Sequence, residues 1–320
     1  MLLSLLLSSV LTFVELNCEN LFDCRHDSLK QDMEFLPESD RRWTPARYWR
    51  KVNNIAKEIL SCSEVLSPSS LPDLVALCEV ENDSVMVALT RRSLLRTLRY
   101  DYLMTRSADP RGIDVALMYN PSTFRPVRHV PYRVPLMEGM RPTRDILYVS
   151  GRVSSGDTLH VLVVHAPSRY GGERRTRPYR RMVMERIRYV VDSVRAISPE
   201  AKVIVAGDFN DEVGGESLRY LESGRLRNVT ADAVGRNGAK GSYCYKGRWG
   251  SIDHVLVTEP LGRYCTAACV NDAFFLLEDD RQYGGRKPHR TYNGYWYQPE
   301  GFSDHLPLVV RFGLPRKGQH

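Results

Sequence analysis

The sequence predicts an α/β sandwich in which two β-sheets pack face to face and helices cover the outside. Three observations carry this expectation. Short β-branched runs alternate with helical patterns and turn signals, several apolar runs end in a cluster of polar residues, and no repeat or low-complexity tract divides the 320 residues. A chain of this length buries one large core, and α/β sandwiches often reach this size as one domain. That domain is expected over residues 10–315, preceded by an apolar segment over residues 1–9.

In chain order, Val10–Asn17 reads as a core strand running straight into Asn17. Helical spacing follows over Ala46–Leu60, and then a Ser/Pro-rich loop over Ser61–Pro72. Leu74–Val80 is an almost unbroken apolar run, as expected of a strand covered on both faces. A helix is expected over Asp83–Thr97, and β-branched or aromatic runs mark strands at Asp114–Tyr119, Ile146–Val153 and Thr158–His165. Arg177–Ala196 places Met182, Val183, Ile187 and Val190 on one helical face. Strand Lys202–Gly207, helix Glu216–Glu222 and strands Ser251–Val257 and Leu306–Phe312 complete the set. Asp279–Ser303, rich in Gly, Tyr and Arg, reads as a loop.

The chain is 42% apolar and 26% charged, an ordinary balance for a soluble globular protein. Its net charge is +7, and most of the basic residues are Arg, whose rigid fork suits phosphate. An anionic ligand and a merely solvated basic surface both fit that excess. Seven cysteines leave at least one unpaired, and their spacing forms no zinc knuckle, so reduced and mostly buried thiols are the simpler reading. Met1–Val14 is apolar but too short and Ser-rich for a stable membrane span. No Lys or Arg precedes it and no small-residue cleavage site follows, so a cytoplasmic monomer is expected, with export through an N-terminal signal as the alternative.

The polar strand ends carry the chemistry. In KVIVAGDFN an apolar strand enters Gly207 and then presents Asp208 and Asn210. Asp208 can accept a proton or hold a metal, and Asn210 can donate to a phosphoryl oxygen; an Asx-turn is the alternative. In GFSDHLPL the pair Asp304 and His305 precedes an apolar run. Asp253 interrupts the apolar run SIDHVLV, and a buried carboxylate is costly without a partner, for which His305 is the candidate. Asn17 in LNCENLF and Glu79 in ALCEVEN likewise end apolar runs. Oxygen donors of this kind suit Mg²⁺, and no His/Cys set with zinc spacing competes.

The ordered set Asn17, Glu79, His165, Asp208, Asn210, Asp253, Asp304 and His305 resembles the endonuclease/exonuclease/phosphatase superfamily, deoxyribonuclease-I-like members above all. The resemblance spans roughly residues 10–312. It implies a four-layer sandwich of two mostly antiparallel sheets with outer helices, and hydrolysis of phosphate esters by in-line attack of water. It implies Mg²⁺ or Mn²⁺ on Glu79, with Asn17 and Asp304 nearby. Asp208 would orient or deprotonate the water, Asn210 would hold the phosphate, and His305, oriented by Asp253, would stabilise charge or move a proton. Between Asp208 and His305 the identity of the base stays open.

His165 ends a strand, where abasic-site enzymes of the superfamily usually carry Tyr, so the resemblance favours a deoxyribonuclease-like or phosphatase member. Arg144 resembles a phosphate-contacting region of such members, while pairing with Asp145 or another acid is the structural alternative. Arg111 is a candidate for the cleft, supported by Asp114. Arg169–Arg181 holds six Arg and one Glu: Arg169 is the better candidate for substrate, and Arg180 onward fits a solvated helix face. Tyr283, Arg286, His289, Tyr292, Tyr295 and Trp296 form an aromatic and basic loop suited to stacking bases or covering a small ligand. The expected activity is a metal-dependent phosphodiesterase acting on nucleic acid. A small or lipid phosphate ester is the rival substrate, and a non-catalytic anion-binding module is the rival from another class.

Overall fold

The computed structural model describes residues 8–66 and 70–316. Residues 1–7 of the apolar N-terminal segment, and 67–69 of the Ser/Pro-rich loop, lie outside the described residues. Twelve strands form the two large sheets. They are β1 (Ser8–Leu21), β2 (Leu74–Val80), β3 (Asp101–Met104), β4 (Asp114–Tyr119), β5 (Phe124–Tyr132) and β6 (Ile146–Val153). The remainder are β7 (Thr158–His165), β8 (Lys202–Asp208), β9 (Leu226–Asn228), β10 (Asp253–Thr258), β11 (Cys265–Val270) and β12 (Leu308–Pro315). The first sheet runs β11-β12-β1-β2-β4-β3 and the second β5-β6-β7-β8-β10-β9. Each is antiparallel except for one central pair, β1 with β2 and β7 with β8.

Strand alternation decides the layers. On β1, Leu11 and Phe13 enter the core between the sheets, whereas Val14, Leu16 and Cys18 face outward. The inter-sheet core joins Phe13, Leu117, Val149, Val163, Ile204 and Val310. Helix α1 (Pro45–Leu66) covers the outer face of the first sheet through Val52, Ile55 and Ile59. After a short helix α2 (Asp83–Val87), the long α3 (Glu173–Ile197) and α4 (Glu216–Ser223) cover the second sheet. The result is the expected four-layer sandwich.

The helix expected over Asp83–Thr97 is a correction. Regular α-helix stops at Val87 and a wider turn follows over Ala88–Arg92. The reason is local: Thr90 and Ser93 return their hydroxyls to the carbonyls of Met86 and Leu89, and Ser93 Oγ then accepts from Leu95 N–H. Arg180 is a second correction. It is buried, not solvated, and donates to Thr176 Oγ1 at 2.9 Å.

Glu58 of α1 is fully buried with neither carboxylate oxygen hydrogen-bonded, and burial pushes its pKa up to about 8 against the pull of Lys51. The folded chain therefore keeps a proton that the unfolded chain releases above its ordinary value of 4.5. Stability then falls as pH rises from about 4.5 to about 8 and is level beyond. Glu58→Gln, which cannot ionise, is expected to match wild type near pH 4 and exceed it by about 2–4 kcal/mol above pH 8. Thermal melts of both proteins across that range test the difference.

Candidate active site

The two parallel pairs aim the ends of β1, β2, β7 and β8 at one rim, and the β10 start and the 303–305 turn close it. Backbone geometry there is unusual. Glu19, Asn20, Glu79 and Asn210 have φ of 49°, 56°, 61° and 49°, in the left-handed region that costs a side-chain-bearing residue about 1–3 kcal/mol. Register shifts between Asn17 and Leu21 and between Cys78 and Val80 mark the same place. Gly207 has φ +144°, and a Cβ there would sit 1.8 Å from the Val164 carbonyl oxygen. Only glycine lets β8 lie this close to β7, and that approach sets His165 opposite Asp208.

Asp208 accepts from Asn210 N–H at 2.7 Å, Asn210 Nδ2 at 3.1 Å and Asn17 Nδ2 at 3.2 Å. Burial and then the neighbouring Asp253 push its pKa up to about 7. His165 Nε2 stands 3.6 Å from Asp208 and 3.8 Å from Glu79, and its Nδ1 is buried without a partner. Burial, helped by Arg144 and Arg111, holds its pKa well below the usual histidine range, so the ring is neutral.

His305 behaves oppositely. Burial would lower its pKa, but Asp253 Oδ2, 2.7 Å from Nδ1, carries it well above the usual range. Asp253 Oδ2 also accepts from Ser242 Oγ at 2.6 Å, and the Tyr243 ring lies 4.9 Å from the imidazole, centre to centre. Ser303 Oγ donates to the Asn17 carbonyl at 2.6 Å and accepts from His305 N–H, tying this turn to β1. The strand-end residues named from sequence thus converge: Glu79, His165, Asp208, Asp253 and His305 form a continuous chain of neighbours.

Asp304 sits differently. Its Oδ2 lies 3.1 Å from Arg290, which also binds Glu19 through two nitrogens at 3.0 Å. Burial would raise the Asp304 pKa, yet Arg290 and His305 hold it below the ordinary carboxylate value. Glu19 further accepts from Thr291 N–H at 2.7 Å and lies 3.8 Å from buried Lys51. Glu19, Arg290 and Lys51 escape the sequence reading; the one signal was Glu19, two residues after Asn17 in the same motif.

The arginine expectations divide. Arg111 donates to Asn20 Oδ1 at 2.5 Å, and Asp109 rather than Asp114 braces its backbone. Asp114 instead accepts from Thr105 Oγ1. Arg144 is buried behind His165, and the acid it pairs with is Asp109, at 3.1 Å, while it donates to the Ala166 carbonyl at 2.8 Å. Arg169 is held by the Asn210 carbonyl at 2.8 Å and Asp211 at 3.3 Å, so it braces the Asp208 turn. In the aromatic loop Tyr292 is buried, while Tyr295 and Trp296 project into solvent. The loop holds small hairpins, Leu277–Asp279 with Arg286–Pro288 and Tyr292–Asn293 with Trp296–Tyr297. All seven thiols are free, with Cys18, Cys62 and Cys78 buried.

Two groupings could take a cation. One oxygen each of Asp208 and Asp253 and a ring nitrogen of His305 lie within 4.8 Å of one another. There, however, His305 Nδ1 and Asp253 Oδ2 already bond to each other at 2.7 Å and the ring is cationic, which leaves Asp253 Oδ1 as that residue's open oxygen. Glu79 fits better. It accepts only from Asn20 N–H at 2.8 Å, faces a neutral histidine, and has no Lys or Arg partner among the described residues. An oxygen-rich acid left without a counter-charge is the donor a hard divalent ion needs.

A two-sheet sandwich with acids, amides and an Asp–His pair on one strand-end rim defines the phosphoesterase class of fold. The family model described as "Endonuclease/Exonuclease/phosphatase family" matches residues 12–313, and the chain belongs to that family, whose members are generally hydrolases of phosphate esters. Comparison with curated proteins gave no match. Among solved structures, the chain is similar to an endonuclease/exonuclease/phosphatase from Bacteroides vulgatus, with 15% identity over 96% of this chain and 99% of that one and a TM-score of 0.59. It is similar to truncated Caenorhabditis elegans TDP2, with 16% identity, 95% and 97% coverage and a TM-score of 0.57. The human Nocturnin catalytic domain with bound sulfate gives 18%, 95% and 94%, and 0.55. No helix among the described residues is long and apolar enough to cross a membrane.

Proposed function

We propose that the protein is a divalent-metal-dependent phosphodiesterase that cleaves nucleic acid as a deoxyribonuclease-like endonuclease. The observation that carries this reading is the pair of opposed titrations on one rim, Asp208 poised near neutrality beside a cationic His305 held by Asp253. Glu79 would hold Mg²⁺ or Mn²⁺, with Asn17 and Asp304 as further oxygen donors. When bound, such an ion supplies positive charge for a phosphoryl oxygen. Asp208 takes the proton of the attacking water, Asn210 holds the phosphate through its amide, and cationic His305 stabilises the charge that grows on the phosphoryl group. Neutral His165 hydrogen-bonds the departing oxygen.

A second reading, a small phosphate ester as substrate, draws on a cavity of about 260 Å³ beside Glu19 and Arg290, walled by Phe35, Trp43, Arg41 and Tyr292. Turnover of plasmid DNA, bis-p-nitrophenyl phosphate and p-nitrophenyl phosphate, with Mg²⁺ and with EDTA, separates the readings. Nicking of plasmid that EDTA abolishes supports the nuclease, and activity confined to the monoester supports the small substrate. No turnover of any ester by folded, metal-loaded protein overturns both and leaves an anion-binding module. Glu79→Gln is expected to raise the Mg²⁺ concentration for half-maximal rate at least about tenfold, in keeping with removal of an anionic ligand. An unchanged metal titration places the ion elsewhere.

A further inference from the structure

Beyond the catalytic rim, on the His165 side, lies a second cavity of about 380 Å³. Four arginines line it, Arg111, Arg141, Arg144 and Arg175, against a single carboxylate among the described residues, Asp109. Arg144 already neutralises Asp109 at 3.1 Å. The side chains of Arg141 and Arg175 are exposed and make no ion pair or hydrogen bond among the described residues. The wall also holds two buried polar atoms without partners, Arg144 Nε and Thr143 Oγ1, on residues only 7% and 8% exposed. Buried donors left open in this way are costly unless a ligand satisfies them.

A third feature points to an anion. The 25-residue helix α3 begins at this cavity, with Gly171 and Arg175 in the lining. No side chain caps its first turn, so its N–H groups are open, and the one acid of that turn, Glu173, lies 3.9 Å from Arg177. A Cβ at Gly171 or Gly172 would meet nothing within 4 Å, which leaves the approach clear. Tyr170, 94% exposed, stands at the same mouth as a flat face on which a base can stack. The cavity is tied directly to the catalytic rim. Arg144 donates to the carbonyl of Ala166, the residue after His165, and Arg111 donates to Asn20, whose N–H is bound to Glu79.

We propose that this cavity is a second anion subsite, which receives the phosphate neighbouring the scissile one in a nucleotide strand. It rests on the reading of the rim as a phosphodiesterase and specifies its substrate: a strand with at least two phosphates, one cleaved and one anchored. Arg141 and Arg175 supply the free charge, Thr143 and the α3 N-terminus the hydrogen bonds, and Tyr170 the stacking face.

The test compares three dimers, dTpdT, pdTpdT and dTpdTp, on wild type and on the double variant Arg141→Ala/Arg175→Ala. At least one terminally phosphorylated dimer is expected to exceed dTpdT about tenfold or more in kcat/KM, and that ratio to fall to about twofold or less in the double variant. A wild-type ratio near one, or a ratio that survives the double substitution, overturns the subsite. If wild type cleaves none of the dimers, plasmid and bis-p-nitrophenyl phosphate turnover judge the phosphodiesterase reading, and calorimetry with the same dimers in EDTA judges the subsite by itself. Binding at least about tenfold tighter for a phosphorylated dimer, lost in the double variant, supports it; equal or absent binding overturns it. Inositol 1,4-bisphosphate serves as the other source of paired phosphates. Competition by it as effective as that of the phosphorylated dimer overturns the assignment to a nucleotide strand.

Discussion

His305→Ala and Asp208→Asn are each expected to lower kcat for a phosphodiester by at least about a hundredfold, the scale of a lost proton-transfer or charge-stabilising group. His305 owes its positive charge to Asp253, at 2.7 Å, and alanine removes both the charge and the only ionic partner of that buried carboxylate among the described residues. Asp208→Asn keeps the size of the side chain but removes the base. Asp253→Asn is expected to fall between wild type and His305→Ala, since the imidazole keeps a neighbour but loses the charge that holds its proton. The pH profile separates the roles. As the proposed base Asp208 would act only when ionised; its pKa stands at about 7 without metal and a cation on Glu79 would lower it, so the wild-type rate is expected to rise with pH through a limb at or below about 7. That limb disappears in Asp208→Asn, while His305→Ala retains it at a lower rate. The measurement is kcat for bis-p-nitrophenyl phosphate across pH 5–9 at saturating metal. A rate unchanged in either variant shows that its role is misassigned.

Gly207→Ala is expected to cost about 3–4 kcal/mol of stability, with most of the activity lost in the molecules that remain folded. The added Cβ would lie 1.8 Å from the Val164 carbonyl oxygen, far inside contact distance, and φ +144° is closed to any other residue without strain. The backbone pair Val164 and Gly207 must then separate, which moves His165 from Asp208 at the next rung of the ladder. For a chain of this size the loss corresponds to a fall in melting temperature of roughly 4–6 °C. Calorimetry and kcat on the soluble fraction check both parts. Wild-type melting with wild-type turnover would show that β7 and β8 can part without consequence.

How much of this was legible in the sequence follows from where each element sits. The eight strands expected from apolar runs are interior to the two sheets, where both neighbours and both faces demand Val, Ile and Leu. The four that escaped, β3, β5, β9 and β11, are the four sheet edges. An edge is half solvated and tolerates what a central strand cannot, so β5 carries Pro126 and Pro131 and reads as a loop. The same logic governs the site. Asn17, Glu79, Asp208 and Asp253 stand out because each breaks an apolar run. Their counter-charges do not, since Arg290 and Lys51 come from a loop and a helix where cations are commonplace, and only the packed fold brings them to Glu19. Arg169 was conspicuous in sequence yet serves to brace a turn.

The pairing of β1 with β12 sets the order of assembly. Ser8 lies opposite Pro315, so this inner strand needs a neighbour that leaves the ribosome roughly 300 residues after it. At about 5–20 residues per second the nascent sheet spends tens of seconds with a bare, apolar hydrogen-bonding edge. Through that interval the edge is a target for chaperones and for the matching strand of another copy, and the candidate site, which needs the 303–305 turn against Asn17, cannot close before it is over.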